Sequence, residues 1–331
     1  RKAAMKKQSQ PPHLLQKPFI VCFLAILCNA LWGSAFPAVK SGYRLFAITG
    51  DDPASQILFA GIRFFLAGFL ALLIGSLLQK KVLLPKKTSV PLVLKLSVFQ
   101  TVLQYIFFYL GLAHTSGVKG SIIIASNTFV AILVASLLFH QEKLTGRKIT
   151  ACIIGFAGVV LVNLNGEDIG TSFRLDGEGF LLISVVAYAF SSSLLKIYSK
   201  EEDPVTLSGW QFMAGGLVMV TGGFFLGGQI ANVTLPGIAV LVYLALVSSV
   251  AFSLWGILLK YHPVSKIAIF GFTNPVFGVL LSTLILRESP SGDPPKRRRT
   301  SSVTDSPPCS ASARRSQSSG WMRSPSAIIS V

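Results

Sequence analysis

The sequence is short of charge: 13% of its residues are Asp, Glu, Lys or Arg, where an average soluble domain has about 25%. Acidic groups are scarcer still where they would matter. All 13 lie in loops, at helix ends or in the tail, so no apolar stretch holds the intramembrane carboxylate that proton-coupled carriers commonly use. His13, His114, His140 and His262 are also in tails or at helix ends. Facilitated diffusion is therefore at least as well supported as proton antiport. The four cysteines (Cys22, Cys28, Cys152 and Cys309) have neither metal-ligand spacing nor a disulfide framework and read as packing residues. No nucleophile is paired with a His and a carboxylate, no Gly-rich loop would cradle phosphate, and no cluster suits a metal. An enzyme and a bound cofactor are both disfavoured. Strict alternation of apolar and polar residues is missing too, which argues against a membrane β-barrel.

Hydrophobicity is what the chain has in quantity, with 51% apolar residues and a mean hydropathy of +0.63. Runs of about 20 apolar residues read as bilayer-spanning helices. Nine are recognisable, at 18–39, 56–78, 90–112, 117–139, 148–164, 178–197, 207–227, 235–258 and 265–286. The first is too long for a cleavable signal peptide and has no small-residue cleavage site. The expected class is an all-α, multi-pass membrane protein.

The net charge of +17 could suggest nucleic acid, but its distribution answers otherwise. Arg1, Lys2, Lys6, Lys7 and Lys17 precede the first span. Further cations follow the even-numbered spans: Lys80, Lys81, Lys86 and Lys87; Lys143, Arg147 and Lys148; Lys196 and Lys200; Lys260 and Lys266. The alternate loops are poorer in cations and carry Asp51, Asp52, Glu167, Asp168 and Asp176. This is the positive-inside pattern, and it puts the N-terminus in the cytoplasm with lipid, not nucleic acid, as the partner.

The chain also repeats itself. Residues 105–142 slide by 146 positions onto 251–288, so that Tyr109 falls on Trp255, Val118 on Val264, Ser136 on Ser282 and Glu142 on Glu288. At an offset of 156, Trp32 falls on Tyr188 and Lys40 on Lys196; at 148, Gly61, Arg63, Phe64 and Gly68 fall on Gly209, Gln211, Phe212 and Gly216. Five helices per unit is an odd number, so the second copy enters the membrane upside down, the inverted-repeat plan of secondary transporters. The expected organisation is a basic segment 1–17, a first unit 18–164, a second unit 178–288 with four helices, and a Ser/Pro/Arg-rich tail 289–331 with the composition of disorder. The fifth helix would have its partner at 295–310, where PKRRRTSSVTDSPPCS cannot span a bilayer. The expectation is that a frameshift or sequence error has replaced a tenth helix.

These residues resemble the EamA-like branch of the drug/metabolite transporter superfamily. The likeness covers about residues 18–288. It rests on LWGSAFPAVK (31–40) in the first helix, GIRFF (61–65) in the second, and the endings LLFHQE (137–142) and NPVFGVLLSTLILRE (274–288). The departures are Phe129, where the ninth helix has Pro275, and the missing tenth helix. The resemblance implies a ten-helix carrier with a central cavity, usually exporting amino acids, other metabolites or drugs.

Within that frame Arg63 is the most informative side chain. A charge in the hydrocarbon zone faces a cavity, pairs with freed carbonyls or snorkels to the surface. Gln211, its repeat counterpart, reads first as an interhelical hydrogen-bonding group. Trp32, Tyr188, Tyr105, Tyr109 and Trp255 can line a pocket or simply pack. Asn29, Gln104, Ser126, Asn127 and Asn274 offer polar groups within spans, with helix–helix hydrogen bonding as the plainer use. Pro275, after Asn274, predicts a kink. Lys40 and Lys196 at helix ends, and Glu142 and Glu288 at turns, read mainly as capping groups. The expected pathway is Trp32, Arg63, Tyr105, Tyr109, Asn127, Tyr188, Gln211, Trp255, Asn274 and Pro275. The function expected is export of a small organic metabolite, an amino acid or similar, by alternating access in a plasma membrane, the bacterial inner membrane fitting best. The alternatives are efflux of drugs or cationic aromatics, and a non-transporting membrane scaffold.

Overall fold

The computed structural model describes residues 12–115, 117–163 and 174–286. Glu288, the 289–331 tail and most of the basic N-terminal segment therefore lie outside the described residues. Helical segments stand at all nine expected positions: α1 (Pro18–Leu45), α2 (Pro53–Gln79), α3 (90–113), α4 (117–138), α5 (Gly146–Asn163), α6 (Leu175–Tyr198), α7 (Pro204–Phe225), α8 (Leu235–Tyr261) and α9 (264–286). Among the described residues, five helices are long and apolar enough to cross a membrane by length and composition: α1, α2, α6, α8 and Lys87–Gly111, which contains most of α3. Among the described residues no β-strand occurs.

Helix starts follow from local chemistry. Asp52 accepts from Ser55 N–H, Asp203 from the Val205 and Thr206 N–H groups, and Thr234 from Gly237 N–H, each just before a Pro in the first turn. These oxygens satisfy donors that the helix itself leaves open, and Pro fits there because its missing N–H would be unused.

The closest packing is between α2 and α7, and it is built on two glycine rows seven residues apart: Gly61, Gly68 and Gly75 against Gly209, Gly216 and Gly223. A Cβ on Gly68 would stand 2.5 Å from the Gly209 carbonyl oxygen and 2.6 Å from Met213 N; one on Gly216 would stand 2.9 Å from the Gly61 carbonyl oxygen and 2.4 Å from Phe65 N. Each contact becomes the other when residues 148 apart are exchanged. The helices run antiparallel, since Gly61 meets Val220, Gly68 meets Met213 and Gly75 meets Val205. An exchange of antiparallel helices is a two-fold relation across their crossing, as inverted repeats require. The other neighbours obey the same exchange: α1 packs on α8 and α9, α6 on α3 and α4, α2 on α8 and α7 on α3.

α4 and α9 are both interrupted. In α9, Val264–Ala268 passes through a 3₁₀ turn, Ile269–Phe272, before Thr273–Leu286. Pro275 lacks the N–H that would bond residue 271, so the break falls one turn ahead of it, as expected. Thr128 of α4 donates to the Ala268 carbonyl at 3.1 Å and satisfies an oxygen at that break. α4 breaks at Ser126, the repeat equivalent of Phe272, although Phe129 stands where α9 has Pro275. There the Ser126 hydroxyl and N–H both turn back to the Ile123 carbonyl.

Small residues act as expected elsewhere, with one exception. Gly33 lets α1 lie against the backbone at Phe277 and Gly278, and Gly155 lets α5 lie on Phe272, but Gly158 meets nothing within 4 Å. α1 continues as one helix through Pro37.

Candidate functional site

One end of the bundle gathers the loops with the most lysines, and it is called the basic face below. Its loops are tied together. Lys86 N–H donates to Glu202, and Lys86 Nζ donates to the Glu201 carbonyl. Gln141 Nε2 donates to the Ser193 carbonyl. Lys196 donates to the Leu259 carbonyl at 3.0 Å and to that of His262, capping α8 as a cation at a helix C-terminus should. Glu142 caps the start of α9, accepting from Ser265 N–H at 2.8 Å and from its hydroxyl at 2.5 Å, and pairs with Lys148 at 2.8 Å. The opposite face is joined more sparsely, by Ser34 with Tyr243, Gln229 N–H to Ser55, and Asn232 to the Leu45 carbonyl.

Between the two faces lies an aromatic cluster drawn from α1, α2, α3, α7 and α8. Its ring contacts are continuous. Trp32 lies 5.0 Å from Trp255 and 4.9 Å from Phe252; Phe252 lies 4.8 Å from Phe212, Phe212 5.3 Å from Phe64, and Phe64 4.3 Å from Tyr105. Tilted and edge-on pairs at such spacings contribute about 0.5–1.5 kcal/mol each beyond burial.

Arg63 enters this cluster from α2, 5% exposed, with its guanidinium 5.1 Å from the Phe64 ring. It donates Nη2 to the Ser248 hydroxyl of α8 at 2.9 Å and also faces the Tyr109 hydroxyl of α3, while its Nε is buried without a partner. Among the described residues no carboxylate pairs with it. Tyr105 and Tyr109 of α3 stand within its electrostatic reach. Gln211 repeats the arrangement in the second half, accepting from Thr101 of α3 at 2.7 Å with its Nε2 unpartnered. So Arg63 joins α2 to α8 and Gln211 joins α7 to α3, equivalent helix pairs under the exchange of halves. The indole N–H of Trp32 is likewise buried and unpartnered, whereas that of Trp255 faces the Tyr188 hydroxyl. Arginine and indole nitrogens can only donate. The cluster therefore holds two open donors, Arg63 Nε and the Trp32 indole.

Of the expected pathway residues, Trp32, Arg63, Tyr105, Tyr109 and Trp255 come together here. Tyr188 packs with Trp32 against the adjoining core around Trp255. Gln211 is engaged with Thr101, the plainer of its two readings. Asn127, Asn274 and Pro275 belong to α4 and α9 and are outside the ring network. The side-chain oxygens of Asn127, Asn274 and Gln104 are buried without partners. Asn29 and Ser126 bond within their own helices, to Ala25 and Ile123. For Asn29 and Ser126 the expected helix–helix bond is replaced by one to a carbonyl of their own helix. Sequence reasoning passed over Phe64, Phe212, Phe252, Ser248 and Thr101 as site residues. A signal existed for two of them, since Phe64 and Phe212 match in the 148-residue register.

A polytopic helical protein built on two exchanged halves, with a buried donor-rich aromatic cluster between them, is a membrane transporter by class. The chain belongs to the EamA-like transporter family, whose profile matches residues 19–164 and 175–293. It is 28% identical over 276 residues to an uncharacterized transporter of Archaeoglobus fulgidus, covering 82% of this chain and 91% of that one. It is 25% identical to the uncharacterized transporter YetK of Bacillus subtilis, over 69% of this chain and 71% of that one. A WAT1-related chloroplastic protein of Arabidopsis thaliana is 25% identical over 55% of this chain and 46% of its own. A solved crystal structure with 16% identity superposes with a TM-score of 0.65, over 83% of this chain and 90% of its own, a likeness of fold.

Proposed function

We propose that the protein is a secondary carrier that exports a small anionic or zwitterionic metabolite, an amino acid or similar, by alternating access about the aromatic cluster. The observation that carries this is Arg63, a buried guanidinium met by the hydroxyls of Ser248 and Tyr109, with an open Nε and, among the described residues, no carboxylate. An Arg at mid-span costs about 2.5–3.5 kcal/mol even on the mildest scale. One charge-assisted hydrogen bond returns about 1.5–3 kcal/mol. A substrate carboxylate would supply the missing acceptor, and the open indole N–H of Trp32 offers a further donor. The surrounding rings would hold an apolar side chain. Tyr105, Tyr109 and Tyr188, with Asn127, Gln211, Asn274 and Pro275 on the flanking helices, complete the proposed pathway.

The second reading, efflux of cationic aromatics, is favoured by the rings alone. A cation–π contact contributes about 0.5–2 kcal/mol. A cation about 5 Å from Arg63 would be repelled by about 3 kcal/mol at an effective dielectric of about 20. The repulsion outweighs the attraction, so an anionic group is the better fit. The proposed location is a plasma membrane, the bacterial inner membrane fitting best, with the basic face in the cytoplasm.

Counterflow in proteoliposomes is the test. Uptake of labelled amino acids should exceed that of empty vesicles, and Arg63→Gln should lower it about tenfold or more, the loss of about 1.4 kcal/mol or more of binding. Unchanged amino-acid flux with enhanced uptake of cationic dyes in Arg63→Gln would favour the second reading. No flux of any compound would favour a scaffold.

A further inference from the structure

A cavity of about 330 Å³ lies apart from the aromatic cluster, toward the basic face, between α1, α4, α5 and α9. Its walls are of two kinds. Ile132, Ile269 and Phe270 are apolar, whereas Arg147, Lys148 and Lys266 are cationic. The carboxylate beside them, Glu142, is already spent: one oxygen takes the Ser265 N–H, the other the Ser265 hydroxyl and Lys148. Three cations against that one anion leave the cavity with an excess of two positive charges, and among the described residues Arg147 and Lys266 have no ion-pair partner. His262 reports the same field: burial and then the Lys266 charge hold its imidazole below the usual histidine range.

The placement runs against helix electrostatics. Arg147 and Lys148 occupy the first turn of α5. Cations there oppose the positive end of the helix dipole, at about 0.3–1 kcal/mol each. An anion in the cavity would reverse that cost. The flanking surfaces indicate where such an anion comes from. Phe19 and Phe23, on either side of Cys22 on α1, are 81% and 57% exposed, and Ile153 and Ile154 of α5 are 62% and 67% exposed. Apolar side chains so exposed on a bilayer protein meet acyl chains, so the cavity adjoins lipid.

We propose that this cavity binds an anionic phospholipid of the leaflet at the basic face. Its phosphate is held by Arg147, Lys148 and Lys266, and an acyl chain lies along Ile132, Ile269 and Phe270. Basic pockets between helices on the cytoplasmic side are suited to lipid headgroups.

The full chain, purified in detergent and offered phosphatidylglycerol, phosphatidylcholine or inorganic phosphate, would be followed by native mass spectrometry and by thermal unfolding. Phosphatidylglycerol should be retained and should raise the melting temperature, with phosphatidylcholine bound at least tenfold less. Each of Arg147→Gln and Lys266→Gln should weaken phosphatidylglycerol binding about fivefold, the value of one charge near a membrane surface. Lys260→Gln, a charge at the same face outside the cavity, should leave it unchanged. Both cavity charges are exposed, so these variants should fold, and their unliganded melting temperatures verify it. Equal retention of the two lipids overturns the proposal whatever the variants do. So does equal weakening by Lys260→Gln. Stabilisation by inorganic phosphate as large as that by phosphatidylglycerol also overturns it, in favour of a soluble anion.

Discussion

Lys196 holds the ends of two helices at once, and its amine is all that reaches the Leu259 and His262 carbonyls from α6. Lys196→Met keeps the apolar stem and removes the donor. Orphaned, partly buried carbonyls cost about 1–3 kcal/mol, so the variant should melt several degrees lower with its helix content unchanged by circular dichroism. Glu202 is a second residue with a measurable signature. Burial pushes its carboxyl up, but bonds from Lys86 N–H, Ser89 and Asp203 N–H outweigh that and hold it below the usual range. A depressed carboxylate stabilises the fold above its ordinary pKa, about 4.3, and loses that contribution as pH falls through the folded value. Wild type should therefore be more stable than Glu202→Gln at pH 6, and the gap should narrow as pH falls below the ordinary carboxylate range. A gap that is constant with pH would show that the glutamate acts by shape alone. Both residues were visible in the sequence only as charges near helix ends. Their distant partners, Leu259 and His262 for Lys196 and Lys86 for Glu202, depend on the tertiary packing. Arg63 was legible as a charge out of place, because no apolar run explains an arginine. Ser248, its hydroxyl partner, was not, since a serine in a membrane helix is unremarkable until something reaches it.

At the scale of elements the glycine rows of α2 and α7 carry the most weight. Gly68→Ala would drive a methyl group into the Gly209 carbonyl and Met213 N, and Gly216→Ala into Phe65 N and the Gly61 carbonyl. Backbone atoms cannot swing aside as a side chain does, so each substitution should cost at least about 1–3 kcal/mol. Because the two clashes are equivalent under exchange of the halves, the two variants should lose similar amounts of stability. Gly158→Ala, with open space around it, serves as the silent control. Helix positions and the register of the repeats were readable because hydrophobic length and spacing set them. The break in α4 was not. In α9 Pro275 announces the interruption, whereas in α4 a serine produces it by folding its hydroxyl back on its own helix. The π turns Val98–Leu103 and Val134–Leu138 were equally silent in the sequence; Thr101, the partner of Gln211, sits in the first of them.

At the scale of the molecule, the family, the helical class and the exchange of halves follow from duplication, which a single sequence can display against itself. The lipid cavity could not be found that way. Its walls come from residues scattered between Cys22 and Phe270, and no spacing unites them. The aromatic cluster occupies an intermediate position, for its tyrosines and tryptophans were legible as candidates, but the phenylalanines that join them were not singled out.

The seven-residue spacing of the glycines also restricts how the two halves can move. Sliding α2 along α7 would bring bulky residues opposite glycine-sized gaps until the rows matched again, a travel of about 10.5 Å at 1.5 Å per residue. Shear is thereby blocked for any smaller stroke, while a tilt about the crossing keeps glycine facing backbone throughout. If the proposed alternating access holds, the pair α2–α7 would serve as its axle, with the halves rocking about it.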